Sequence, residues 1–472
     1  MFFKKNNVKK EKFVYLQKEK KPIMSKAIQD NNLLYNLLSP LVQFGCRCHY
    51  NRFDVHGIEN LPADGAYIIA PCHQQALMEP LAVLNFAPKP PVFLARADIF
   101  RKPLFRTILT FLKIMPVYRI RDGQDQLGRN KEIFDRCRDV LLDGFPLCLM
   151  AEGRHNNRHH LLNMGKGMFR IAGETQLKLG DHPLYIVPTG IDFDDYERPY
   201  SNLVVNIGKP IPVQPFMATY RENEPLALNQ MRDTLFEQLR PLMHDIRSDE
   251  HYEEIMTLCN VLNREMRRRE GLRNTAWNRF RMRQKIAGKV ESGAWDISAL
   301  HAPLSTFDFP LSILIAEHWS LVATLLSVLA VALPVVAAVL VPPVRWVLLF
   351  CLLCYPIPFL PTHLIVKKKV ADTQFRSSVN FGVRLILSIL YAVVIAIVMA
   401  CCGGAWMSRL ADIGAWWGLV ALAVVHVGAW LAGPTITFLR DTLANCRYWF
   451  MWLGGRLRKA EKAYGELKNT LL

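Results

Sequence analysis

The chain has 472 residues, 51% of them apolar, and 58 Lys and Arg against 41 Asp and Glu give a formal net charge of +17. That length admits two or three domains. The charge raises nucleic acid as a partner, but no aromatic-basic recognition module occurs; that class is set aside in favour of attraction to anionic lipid headgroups.

In chain order, residues 1–29 are lysine-rich without a long apolar run. They are read as a basic flexible N-terminus and not a signal peptide, with Met24 an alternative start. Residues 30–52 form an amphipathic helical segment. Its stripe Leu33, Leu34, Leu37, Leu38 and Leu41 is either an interfacial anchor or a cover for the core. Strands are expected at 66–70, 91–95, 112–118, 147–151, 184–190 and 202–207. Helices are expected at 129–142 and 166–179, ending at Gly144 and Gly180. This alternation across 53–215 implies an α/β sheet with helices on its faces. Residues 216–308 read as a basic helical region, densest at Arg264, Arg267, Arg268 and Arg269.

The chemistry-bearing residues sit at strand ends. Strand 66–70 runs into Pro71-Cys72-His73-Gln74-Gln75, so His73 lies on a loop held by a rigid element. Glu79 follows with five residues between. Such an offset separates two side chains around a helix axis, so His73 must precede the helix and Glu79 must reach back. An imidazole oriented by a carboxylate is minimal equipment for taking a proton from a hydroxyl near neutral pH. A second junction, Leu149-Met150-Ala151-Glu152-Gly153-Arg154-His155, leads to a basic helix start at Gly165-Lys166-Gly167. Between the junctions lies Ile114-Met115-Pro116-Val117-Tyr118-Arg119, and after them Tyr185-Ile186-Val187-Pro188-Thr189-Gly190.

Taken in that order, these blocks resemble the glycerolipid acyltransferase family over residues 55–213, especially its glycerol-3-phosphate and dihydroxyacetone-phosphate branch. The resemblance implies the same α/β fold and an acyl transfer from coenzyme A or acyl carrier protein to glycerol 3-phosphate or 1-acylglycerol 3-phosphate. It implies catalysis by His73 and Glu79, with acceptor binding by Arg119, Glu152, Gly153, Arg154 and Lys166. No cofactor or metal is expected beyond the acyl carrier as co-substrate. Two departures stand out. The family usually places four residues between histidine and an Asp, although some members of this branch have five. It also typically reads Glu-Gly-Thr-Arg where this chain has Glu152-Gly153-Arg154-His155. Another lyso-lipid acceptor, such as a lyso-aminolipid, and a non-catalytic lipid-binding protein of the same fold remain as alternatives.

Beyond residue 309 the composition turns lipid-compatible. Runs 321–341, 346–366, 385–402 and 413–439 are each long enough to cross a hydrocarbon core, suggesting four spans over 309–439. The loop with Lys367, Lys368, Lys369, Arg376 and Arg384, and the basic tail 440–472, then face the cytoplasm together with the enzyme domain. Among the 11 cysteines no zinc pattern occurs, which fits a reduced protein in the cytoplasmic membrane.

Overall fold

Tyr67, Ile68, Ile69 and Ala70 form a run with no polar face, and such a run is stable as a strand only where both sides are covered. In the computed structural model they lie in β2 (Ala66–Pro71), every residue of which is buried. The structure describes residues 27–118, 128, 130–150, 152–154, 158–196, 200–297, 318–340, 366, 368–370, 373–402, 435 and 437–472.

An eight-stranded sheet organises the described residues. Across it run β1 (Arg52–His56), β7 (Asn202–Ile207), β6 (Leu184–Phe193), β2, β5 (Leu147–Cys148), β3 (Val92–Arg96) and β4 (Ile114–Val117). A short β8 (Ile211–Pro212) pairs with β6. β2 is parallel to β5 on one side and to β6 on the other, whereas β6 and β7 are antiparallel. Ile69 sits opposite Cys148, so β2 and β5 end at the same edge and their following loops meet there. Ligand sites in open α/β sheets form at this carboxyl edge.

Helices cover the sheet as the alternating pattern requires. They are α1 (Leu33–His49), α2 (Met78–Leu84), α3 (Pro103–Phe111), α4 (Asn130–Leu142), α5 (Gly167–Leu179), α6 (Met217–Glu222) and α7 (Glu224–Leu239). Ile68, Ile69, Leu147, Phe169, Leu184 and Ile186 are fully buried in the core they share. Each such side chain contributes roughly 1.5–3 kcal/mol of transfer free energy.

Most expected elements occur, with informative shifts. Strand 147–151 shortens to two residues because the chain turns at Met150, whose carbonyl accepts the Gly153 N–H at 3.0 Å. Strand 184–190 lengthens to Phe193 because antiparallel β7 keeps pairing through Ile191 and Phe193. β1, β8 and α3 were not expected. β1 is only half-buried, and α3 has no buried residue, its apolar Leu104, Phe105 and Ile108 standing exposed, so neither is a core element. On α1, Asn32 caps the start by accepting from the Leu34 and Tyr35 N–H groups. Leu33 (77% exposed), Leu34, Leu37 and Leu38 point outward while Tyr35, Cys46 and His49 are buried, so this stripe does not cover the core.

A second apolar core joins α8 (Tyr252–Arg269), α9 (Ala276–Glu291) and α12 (Arg458–Leu471) through Leu258, Val261, Leu262, Ile286 and Leu467. Lys468 Nζ pairs with Glu265 Oε1 at 3.0 Å across this unit. The stretch read from sequence as a basic tail therefore ends in a packed helix. Ala276 and Phe280 of α9 pack on Val204 of β7, seating the unit on the sheet.

Two apolar runs fall within described helices, the first in α10 (Leu321–Leu340) and the third in α11 (Thr373–Cys402). Runs 346–366 and 413–439 lie almost wholly outside the described residues. Among the described residues no helix is long and apolar enough to cross a membrane. The first turns of α11 pack on the α/β unit: Ser377 Oγ lies 3.1 Å from His49 Nε2, and Ser378 Oγ accepts the Leu77 N–H at 3.1 Å.

Candidate active site

His73 follows β2 by two residues, in the loop that leads into α2. The residue before it anchors the loop: Cys72 is fully buried, accepting from Ile191 N–H at 3.1 Å and donating to Ile191 O at 3.3 Å. The His73 side chain keeps 16% exposure, and Nδ1 lies 3.5 Å from Oε2 of Glu79, which has none. Glu79 sits in the first turn of α2, where the helix dipole favours a negative charge. Its Oε1 accepts the Gln74 N–H at 2.8 Å and also the Gln75 N–H. One oxygen thus fastens the carboxylate to the loop and leaves the other for the imidazole. Nδ1 faces Glu79, so a proton held on that nitrogen would leave the Nε2 lone pair for a substrate proton.

Glu152 reaches the same loop from the end of β5. Its Oε1 accepts the His73 N–H at 2.7 Å and its Oε2 accepts the Leu162 N–H at 2.9 Å. Burial pushes its pKa up to about 7; the two backbone hydrogen bonds and His73 pull the other way. Both Glu152 oxygens hold backbone, and the residue ties the histidine loop to the β5 loop. Gly153 adopts φ +63 with open space where a Cβ would stand, so it serves the turn. Arg154 and Lys166 are exposed at the ends of the loop between β5 and α5. Arg119 and His155 lie outside the described residues.

Behind the loop lies a buried polar layer that pattern reading missed. Tyr196 donates its hydroxyl to Gln74 Oε1 at 2.8 Å, and its carbonyl accepts from Gln75 Nε2 at 2.6 Å. The same hydroxyl is 3.0 Å from Nδ1 of His159, which stands 3.6 Å from Oδ1 of Asp192. Arg283 of α9 pairs with both Asp192 and Asp194. Those carboxylates hold its guanidinium charged despite burial, and Arg283 and Arg279 help keep the Asp194 carboxyl below its usual range although burial opposes them. The available signal was an acid within an apolar strand, Ile191-Asp192-Phe193, which demands a buried partner.

His159, Asp192 and His244 bring three potential metal-ligand atoms within 4.8 Å of one another. Arg283 already provides the cation at Asp192, and burial beside His159 and Arg283 drives the His244 pKa well below its usual value. The guanidinium of Arg283 thus already fills the role of counter-charge to the Asp192 carboxylate.

A partly exposed base, oriented by a buried carboxylate at the carboxyl edge of the sheet, is suited to removing a proton from an alcohol. The Acyltransferase family model matches residues 52–192. The crystal structure of the 1-acyl-sn-glycerophosphate (LPA) acyltransferase PlsC from Thermotoga maritima is similar at 18% identity, covering 44% of this chain and 79% of that one, with a TM-score of 0.31. No curated protein matches the chain.

Proposed function

We propose that this chain, whose residues 52–192 match the Acyltransferase family model, is an O-acyltransferase that acylates a glycerol phosphate. The acyl group comes from a thioester of coenzyme A or acyl carrier protein, and the acceptor is the hydroxyl of glycerol 3-phosphate or 1-acylglycerol 3-phosphate. The observation that carries the reading is the His73–Glu79 contact of 3.5 Å at the end of β2.

In the reaction, Nε2 of His73 takes the acceptor's hydroxyl proton as the oxygen attacks the thioester carbonyl. The C–O bond forms, the C–S bond breaks, and the imidazolium returns its proton to the departing thiolate. Glu79 stabilises the imidazolium and holds its tautomer, as an orienting carboxylate does. Arg154 and Lys166, exposed at either end of one loop, supply positive charge for the acceptor's phosphate, with Arg119 as a third.

The same reading places the apolar runs 321–341, 346–366, 385–402 and 413–439 in the cytoplasmic membrane, with the enzyme domain on the cytoplasmic side. Support comes from Val322, Leu326, Leu329 and Leu333 of α10 and Ile386, Leu390 and Val394 of α11, all exposed to a degree costly in water. Labelling of single cysteines at Lys368 and Leu472 tests the orientation; reaction from the external face overturns it.

The decisive experiment supplies purified full-length protein with a labelled acyl-coenzyme A or acyl carrier protein. Acceptors are glycerol 3-phosphate, dihydroxyacetone phosphate, lysophosphatidate and a lyso-aminolipid. Label should enter a phosphate-bearing acceptor. Acylation of the aminolipid alone, or of none, overturns the proposal.

A further inference from the structure

Gln74 and Gln75 are both buried, and both side chains are held by Tyr196. Their backbone N–H groups are the ones that fasten Oε1 of Glu79. The order of contact is therefore Tyr196, then the two glutamines, then Glu79, then His73. Tyr196 touches neither member of the dyad, yet it fixes the peptide units that aim the carboxylate.

Proton placement strengthens the chain. Burial and the nearby Asp192 raise the Tyr196 pKa well above its usual value, so the phenol keeps its single proton. That proton goes to Gln74 Oε1, and the phenol oxygen accepts from His159 Nδ1–H. A proton on Nδ1 of His159 is also what the Asp192 carboxylate, 3.6 Å away, favours. Asp192 in turn is fixed by Arg283, a residue of the helical unit seated on β7.

We propose that Tyr196 is a positioning residue for the acyl transfer at His73, and that Arg283 of α9 sets it through Asp192 and His159. The helical unit then supports the reaction centre as well as completing the fold. This rests on His73 and Glu79 acting as the dyad.

The test uses the full-length chain, with thiol release from a long-chain acyl-coenzyme A and lysophosphatidate as acceptor. Tyr196→Phe keeps the ring contacts to His159 and Phe193 and the carbonyl that holds Gln75. It should lower kcat about 5- to 30-fold, the scale for leaving buried polar partners unsatisfied, and leave the acceptor KM within about twofold. In a Glu79→Gln background the same substitution should add less than about twofold, because both changes act on one path. Gln74→Met removes the acceptor of the Tyr196 proton and should reproduce the loss without adding to Tyr196→Phe. Arg283→Lys keeps a charge but not the fork, and should lower kcat severalfold only when Tyr196 is present.

Full kcat in Tyr196→Phe, or an undiminished loss in the Glu79→Gln background, overturns the positioning role. An equal loss from Arg283→Lys with and without Tyr196 overturns the link to α9. If Glu79→Gln alone keeps full activity, the dyad itself falls and this inference falls with it.

Discussion

The Glu152 carboxylate accepts the backbone N–H of His73 at 2.7 Å, although 79 positions separate them in sequence. Parallel pairing of β2 with β5 brings the two loops to one edge of the sheet. A buried acid thereby anchors the His73 loop, while a second acid, Glu79, stands 3.5 Å from the imidazole. The two carboxylates have distinct tasks, and substitution separates them.

His73→Ala should lower turnover by about 100-fold or more, the usual scale for losing general-base assistance. Acceptor KM and thermal unfolding should change little, since the side chain is partly exposed. Retention of activity within about threefold, measured by thiol release at equal folded concentration, removes His73 from the reaction.

Glu79→Asp is more informative than Glu79→Gln. The carboxylate is pinned at Oε1 by two N–H groups and already stands 3.5 Å from the ring. Shortening the side chain by one bond of roughly 1.5 Å must lose either the pin or the contact. Asp should therefore be slower than Glu by about 10-fold or more, as expected when an imidazole loses its orienting partner. Equal activity in steady-state assays would mean that the loop absorbs the change.

Glu152 should leave a mark on the pH dependence of stability. Its folded pKa is raised to about 7, so between the ordinary carboxylate range and that value the folded state holds a proton that the unfolded state has released. Its stabilising contribution is full below the unfolded pKa and is lost as pH rises through about 7. The whole effect amounts to roughly 3 kcal/mol. Glu152→Gln should flatten the fall in unfolding free energy across this window, measured by denaturant titration at several pH values. An unchanged slope contradicts the assignment.

Arg283→Met should destabilise by about 3–5 kcal/mol, because Asp192 and Asp194 would lose the charge that balances them in the interior. Pairing it with Asp192→Asn should recover part of that loss. Denaturant unfolding of the two variants checks both statements, and a stable single variant would argue that water reaches the pair.

Gly190→Ala should be poorly tolerated. A Cβ there would lie 2.0 Å from the carbonyl oxygen of Leu242 and 2.4 Å from its carbon, both main-chain atoms. A loss of several kcal/mol is expected, comparable to overpacking a rigid core, and a melting temperature near that of the parent protein would refute the close approach.

Local patterns determined much of this protein. The all-apolar run before His73 marked β2, the run ending at Ile207 marked β7, and charged-apolar periodicity marked α4 and α5; each depends on which faces of a short segment are buried, and the local order of apolar residues carries that. The placement of His73 ahead of a helix bearing Glu79 was equally legible, because a six-residue offset does not fit one helix face. Partner identity was not local. Glu152 stood in a motif that suggested substrate contact, yet its oxygens are taken by His73 and Leu162 backbone once β2 and β5 lie side by side. His159, the Asp192–Tyr196 stretch and Arg283 come from three separate parts of the chain, and Arg283 reaches Asp192 because α9 packs on β7. The terminal helix Arg458–Leu471 read as a charged tail until α8 and α9 provided an apolar surface for Leu467. Sequence thus determined which faces must be buried, and tertiary structure decided what each buried polar group would meet, because an isolated carboxylate or guanidinium in the interior is stable only beside a partner brought there by distant chain.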